Sequence, residues 1–327
     1  MDIGNTFSFG WEVALITFLQ YHFGDIGTWL MTVVTHIGEE LVLIPIMGYV
    51  YWCRNKELGK IFGVNMAVGL VANPMVKNVF LRRRPYMDHS EIACLEPVNP
   101  GDIYDPTLQG FSFPSGHSTN AVTLYGTIAV CLKKKPVTVL MLLLILLVGL
   151  SRMELGVHYP TDVLFGWGMG ALIAFGMTWL QQKIQSRWKL FAGILAVSLI
   201  GCFYCDSTDY YSTYGIMIGM FTGILFEERF VHFEDARTTP ERVLRLLGGI
   251  ALFGILHAAL KLPFPADMLA GTDAAGMFLR VLRHGVEVFI IVGPYTMLFK
   301  RLKSVVRSRE KDPSRHQAQP EESTPRF

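Results

Sequence analysis

Charge-free apolar runs that approach the length of a bilayer crossing constrain this chain most, among them residues 163–182, 190–205 and 210–226. A helix needs about 20 mostly apolar residues to span the hydrocarbon layer, because its backbone groups must be satisfied within the segment. With 51% hydrophobic and only 17% charged residues in 327, the composition excludes an ordinary pair of soluble domains. The expected fold is all-α, a polytopic membrane helical bundle. Nine spans are predicted, near residues 40–54, 59–80, 113–132, 137–152, 161–181, 189–205, 211–226, 245–261 and 284–300.

Residues 7–36 mix aromatics with Glu12, Asp25 and two histidines, and Gly24 and Gly38 interrupt the pattern. That segment reads as an interfacial helical hairpin. No Lys or Arg precedes Arg54, so a basic, cleavable signal peptide is not expected and the first span must direct insertion. Basic residues recur on alternate loops: Arg54, Lys56 and Lys60; Lys133 to Lys135; Lys183, Arg187 and Lys189; Arg229 to Arg245; and Lys300 onward. The positive-inside rule makes that side cytoplasmic, together with the C-terminus. The organisation expected is 1–38 interfacial helices, 39–185 a six-helix core on which 25–38 pack, 186–303 about three additional transmembrane helices, and 304–327 a disordered cytoplasmic tail. The loop from Glu227 to Arg245 reads as a charged surface helix. The acidic stretch between Pro85 and Gly110 reads as a lid. Cys94 lies on the same predicted side as Cys202 and Cys205, which leaves a disulfide open, although two small helix residues are the better account of 202 and 205.

Three clusters carry chemistry. Lys77 and Arg84, two helical turns apart, can face one space before Pro85 ends the helix. Arg82 and Arg83 beside them read equally as headgroup contacts or as a solvated flank. The run Phe-Pro-Ser-Gly-His-Ser at 113–118 opens the third span. There Ser115 can cap the helix, Gly116 lets backbone approach a ligand, and the free N–H groups suit an anion. His117 in that first turn is a candidate general acid. Ser151-Arg152 closes the fourth span, and His158, Tyr159, Pro160, Thr161 and Asp162 open the fifth. Asp162 can hold the Nδ1 proton of His158 and free Nε2 for attack on phosphorus, can cap the helix, or can do both. Span alternation puts all three clusters on one face, opposite the predicted cytoplasm.

These clusters, Lys-x6-Arg-Pro, Pro-Ser-Gly-His and Ser-Arg-x5-His-x3-Asp, resemble the signature motifs of the type 2 phosphatidic acid phosphatase superfamily, integral-membrane lipid phosphatase branch. Every named position matches, from Lys77, Arg84 and Pro85 through Pro114 to His117 and on to Ser151, Arg152, His158 and Asp162. The resemblance covers roughly residues 25–185. It implies that His158 forms a phosphohistidine, that Asp162 orients it, and that His117 protonates the leaving group. Lys77, Arg84, Arg152, Ser115 and the Gly116 backbone would bind phosphate oxygens. No metal and no cofactor is implied, and three nearby cations would oppose a divalent ion held by the two histidines and Asp162. The three further spans also give the outline of the glucose-6-phosphatase branch.

The function expected is hydrolysis of a lipid phosphate or diphosphate, such as a polyprenyl diphosphate or phosphatidate, with the site outside the cytoplasm. Its partners would be a phosphorylated amphiphile and the bilayer, with no nucleic acid. Two alternatives stay open: a phosphatase for a soluble ester such as a sugar phosphate, and a non-hydrolytic lipid-phosphate transporter. The transporter is suggested by the span count and by Glu39, Glu40 and Glu287, charges costly in lipid.

Overall fold

The computed structural model describes residues 4–300, and the expected tail at 304–327 lies outside them. α1 (Gly10–Thr35) is broken at Gly24, whose φ of 57° and ψ of −172° no helix accepts. A 3-10 turn at His36–Gly38 separates it from α2 (Glu40–Tyr49), which continues as a π turn to Arg54. Both interruptions fall at the glycines expected to make them. α3 (Lys56–Phe80) begins at an Asn55 cap and ends where Leu81 turns left-handed at φ 49°. The short α4 (Pro85–Asp88) and α5 (Pro106–Gln109) occupy the following loop, each with proline in its first turn.

Residues 116–132 are helical throughout, with a π turn at Val122–Gly126 between α6 (Gly116–Ala121) and α7 (Thr127–Leu132). α8 (Lys135–Glu154) and α9 (Pro160–Lys183) are joined by a tight turn at Gly156. A side chain there would be strained at φ 75° and would come within 2.2 Å of the Ala93 carbonyl. α10 (Arg187–Ser198), α11 (Thr208–Phe226), α12 (Thr239–Ala259), α13 (Ala266–Ala270) and α14 (Ala274–Val292) complete the described chain. No sheet forms among the described residues; Asn5 and Arg82 meet only as an isolated bridge.

Each of the nine expected spans coincides with a helical stretch. Four are continuous helices long and apolar enough to cross a membrane, namely α3, α8, α9 and α12, and the pair Gly10–Gly38 with Glu40–Arg54, bent by 44°, would make a fifth. Length and hydropathy stop short of nine because π and 3-10 turns divide residues 116–132 and 187–203, the first half of α11 is polar with Asp209 and three tyrosines, and α14 carries Arg280, Arg283 and Glu287. The protein is a multi-pass integral membrane protein. One core, with Leu43, Phe62, Leu124 and Val148, fills the space between α2, α3, α8 and residues 116–132. A second, with Met177, Phe191, Phe221 and Tyr295, joins α3 and α9 to the later helices.

The region expected as a charged surface helix is instead tied into the bundle. The π turn Glu227–Val231 prolongs α11, and buried Glu227 receives Lys56 and Lys60 at 3.0 and 2.9 Å. Arg245 is buried too, paired with Glu241. Burial requires this pairing, since an unmatched charge would cost several kcal/mol, about 3–5 when one partner is removed. All five cysteines are free, so no disulfide forms.

α11 and α14 approach backbone to backbone along Gly215, Gly219 and Gly223, spaced one helical turn apart. A Cβ at Gly219 would lie 2.3 Å from the Gly285 carbonyl oxygen. Small residues at this spacing let membrane helices pack by close contact where no hydrophobic drive separates protein from lipid. Gly219→Leu is expected to lower stability by about 1–3 kcal/mol or more through overpacking. Thermal unfolding of the detergent-solubilised protein measures it, with Gly193→Leu, where a Cβ meets nothing within 4 Å, as the benign comparison.

Candidate active site

The end of α3, the start of α6, the end of α8 and the start of α9 meet at one end of the bundle. Backbone hydrogen bonds fasten them: Ser115 N donates to the Asp162 carbonyl at 3.1 Å, and His158 N to that of Arg152 at 3.2 Å. α6 starts there because the Ser115 side chain accepts from Ser118 N, and α9 starts at Pro160 because the Asp162 carboxylate accepts from Tyr159 N at 2.8 Å. The expected helix cap at Asp162 is therefore present.

The same carboxylate faces His158. Its Oδ2 lies 3.5 Å from His158 Nδ1, while its Oδ1 accepts from Arg82 at 2.6 Å. His158, Asp162 and Arg82 are all buried. His158 lies in the loop between α8 and α9, and its imidazole is held well below its ordinary pKa. Burial is the main cause, reinforced by the positive charges of Arg84, Arg152 and Lys77 and by His117. A histidine so placed stays neutral and nucleophilic in mildly acidic solution.

The cations are poised differently. Arg84 donates Nε to the carbonyls of Gln109 and Gly110, Nη1 to that of Val157 and Nη2 to that of Gln109, all at 2.8–3.1 Å. Three of its five N–H groups are thus committed to the fold, and two remain for an anion. Arg152 gives Nη1 to Thr35 at 2.7 Å, and its Nε has no hydrogen-bond partner among the described residues. The Lys77 side chain makes no hydrogen bond to a described residue and lies within the fields of Arg84, Arg152, Asp162 and Asp209. Buried cations with unused donors beside an open helix N-terminus suit a phosphoryl group. Ser115 and Gly116 begin that helix, and Asn73 of α3 braces it, 3.4 Å from the Pro114 carbonyl and from Thr119 Oγ1. His117 lies in the first turn of α6, its Nε2 3.6 Å from Glu39.

Every residue expected at the site is therefore at this end of the bundle. The sequence reading missed its support. Arg82, taken as headgroup contact or solvated flank, is fully buried, bridges Asp162 and Glu12, and stacks on Tyr159 with 3.8 Å from guanidinium carbon to ring centroid. Glu12 also accepts from Thr161 at 2.5 Å. Glu12 does carry a sequence signal, being a lone acid in register with the apolar Ile16 and Leu19 of the same face, all three buried. Arg82 carries none, because the left-handed turn at Leu81 destroys the helical phase that related it to Lys77. Glu154 closes α8, is buried, and accepts from Thr28 at 2.5 Å. The lid stretch is fastened to the site, since Gln109, whose carbonyl receives Arg84, also binds Val98 N and Asn99 N through its side chain.

Known proteins match in the same places. The profile of the PAP2 superfamily matches residues 58–186, and that of the PAP2 superfamily phosphatase transmembrane extension matches 211–308. The undecaprenyl-diphosphatase of Sulfolobus acidocaldarius is 30% identical over 189 residues, covering 56% of this chain and 83% of that protein. The chain belongs to the PAP2 superfamily. Phosphatidylglycerophosphatase B of Bacillus subtilis is 31% identical over 169 residues, 48% of this chain and 76% of its own. A crystal structure of a transmembrane PAP2 type phosphatidylglycerolphosphate phosphatase from Bacillus subtilis aligns over 54% of this chain and 86% of that one, at 28% identity and a TM-score of 0.44. The protein is an integral-membrane phosphatase of this superfamily, as its motifs lead one to expect.

Two outcomes follow from the geometry. Arg82→Gln leaves Asp162 and Glu12 buried without their cation, and is expected to cost about 3–5 kcal/mol of stability and about 100-fold or more in kcat through a misplaced His158; melting and steady-state rates measure both. Because the folded protein resists charging His158, the acid limb of kcat/KM is expected well below pH 6.5. Arg84→Gln removes one repelling charge and should shift the limb of the residual activity to higher pH.

Proposed function

We propose that the protein hydrolyses a lipid phosphate or diphosphate through a phosphohistidine on His158. The observation that carries this reading is the buried line Arg82, Asp162, His158 ending among Arg84, Arg152 and Lys77 at the α6 N-terminus. Asp162 occupies the Nδ1 side of the imidazole and leaves Nε2 to attack phosphorus in line. As the N–P bond forms, the bond from phosphorus to the leaving oxygen breaks, and His117 gives that oxygen its proton. Water, deprotonated by the now neutral His117, then cleaves the N–P bond and releases phosphate. The cations and the helix N-terminus stabilise charge gathering on the equatorial oxygens.

An amphiphilic substrate is supported by a groove of about 750 Å3 between α3, α9 and α10, lined by Val76, Val79 and Phe80, which flank Lys77 in the chain, and by Met177, Leu180 and Ile194 farther along. Such a groove can keep a lipid tail in apolar surroundings while its phosphate reaches Lys77. The relatives named for an undecaprenyl diphosphate and a phosphatidylglycerophosphate support the same substrate class. In this reading residues 39–185 are the catalytic core, 186–303 an added bundle, and the site opens away from the cytoplasm. The loop basicity supports that side, with Lys56, Lys60 and Arg187 at the opposite end of the bundle.

Purified protein is expected to release phosphate from polyprenyl diphosphate and phosphatidate in the presence of chelator, with inhibition by vanadate. His158→Ala should abolish release while the protein still melts cooperatively, and His117→Ala should slow it about 10²–10⁴-fold. Release confined to sugar phosphates would defeat the lipid assignment, and binding without release would favour the transporter.

A further inference from the structure

The core and the later helices enclose a second cavity of about 290 Å3, between α2, α3, α11, α12 and α14, which shares no lining residue with the phosphate pocket. Its wall is apolar for most of its length, with Met66 and Ala67 of α3, Met220 of α11 and Ile291 of α14. One end is polar. Glu40 at the head of α2, His257 in the last turn of α12, and His284 and Glu287 of α14 gather there. Ile44 and Phe253, one turn from Glu40 and His257, are partly exposed, so the cavity opens sideways between α2 and α12. Apolar side chains exposed on membrane helices meet lipid, and a ligand would enter from the bilayer.

Two atoms at the polar end are unmatched. Glu287 is only 2% exposed, yet its Oε1 accepts no hydrogen bond from a described residue, and His257 Nδ1, 3.3 Å away, is likewise a buried atom without a partner. An imidazole that carries its proton on Nε2 presents Nδ1 as an acceptor, so two acceptors face each other and neither serves the other. His284 Nδ1 stands 3.4 Å from the other oxygen of Glu287. No cation among the described residues fills the gap. Arg283, one turn earlier on α14, lends Glu287 its field but neither pairs with it nor lines the cavity. Lys60, at the far end, is taken by Glu57, Glu227 and Glu228. Buried acceptors left in this state are costly, and a donor supplied from outside the chain recovers that cost.

We propose that this cavity binds a single-chain amphiphile with a primary ammonium head. Such a head has three donors and no acceptor, so it can give one N–H to Glu287 Oε1 and another to His257 Nδ1, while Glu40 at the opening adds a second negative charge. An alcohol has one proton to donate and satisfies only one of the two atoms. A carboxylate or phosphate head is repelled by both acids. The tail lies along the apolar wall, which runs from Glu40 to Trp52 on one side and from Leu70 to Gly59 on the other, about 16–18 Å of helix. The ligand thus joins the core to the added helices, and its recognition is independent of the phosphohistidine.

The probe is dodecylamine carrying a diazirine at the end of its chain, added to the full chain in phosphatidylcholine nanodiscs. After illumination, peptide mass spectrometry should find the label on residues 59–70 of α3 and 216–224 of α11. Unlabelled dodecylamine should displace the probe at a concentration about tenfold or more below that needed of dodecanol or dodecanoate. Glu287→Gln keeps the shape and removes the charge, and should weaken labelling by about tenfold or more, with thermal melting to confirm that the variant is folded. The comparison of head groups in the wild-type protein decides the matter even if that variant does not fold. Displacement by dodecanol as readily as by dodecylamine, label found only outside the two segments, or labelling undiminished in the folded Glu287→Gln protein each overturns the site.

Discussion

The fold of the catalytic end turns on burying one guanidinium. Arg82 is fully enclosed, with Glu12 on one side, Asp162 on the other and the Tyr159 ring beneath it. A cation in such surroundings is tolerable only because two carboxylates and a carbonyl match its donors; the Phe7 carbonyl takes Nε at 2.9 Å. That matching fixes three segments relative to each other: the N-terminal helix, the end of α3 and the start of α9. Asp162 in turn can address His158 only while Arg82 pins its other oxygen. His158 is therefore placed by a residue that need never touch phosphate.

The site's outline was legible because its chemistry needs particular residues at helix ends. Proline at the head of α9, serine before α6 and the arginine closing α8 mark boundaries as well as functions, so motif and topology agree. The supporting layer was less legible. Glu12 lies 70 positions from Arg82 and 149 from Thr161, and no local pattern connects them. Arg82 follows a left-handed residue, and direction after such a turn depends on tertiary contacts rather than on periodicity. The charged loop after α11 misled for a related reason. Composition registers charges but not pairing, and Glu227 with Lys56 and Lys60 forms a buried network that spacing cannot reveal.

The later helices are held by a different economy. They meet the core through an apolar and aromatic layer, with Phe191 stacked on Phe221 at 4.2 Å between ring centroids, beside the Glu227 ion pairs with Lys56 and Lys60, whereas α11 and α14 join through glycines. Between α12 and α14 lies a polar group of its own. Glu287 is buried between His257 and His284, at 3.3 and 3.4 Å. A carboxylate among lipid-facing helices needs such neighbours, and the glycine contacts bring α14 close enough for its polar face to be shielded.

The Glu12 contact also bears on how the chain is made. α1 leaves the ribosome before its partners, since the cation that neutralises its acid arrives 70 residues later and the hydroxyl that completes the shell 149 residues later. Until then the carboxylate must remain hydrated, so the segment has to wait at the water boundary while the following helices enter the bilayer. Only after the start of α9 has emerged can it dock. Closure of the catalytic end is thus a late event in biogenesis, and a nascent chain short of that point carries the first two motif clusters but no assembled pocket.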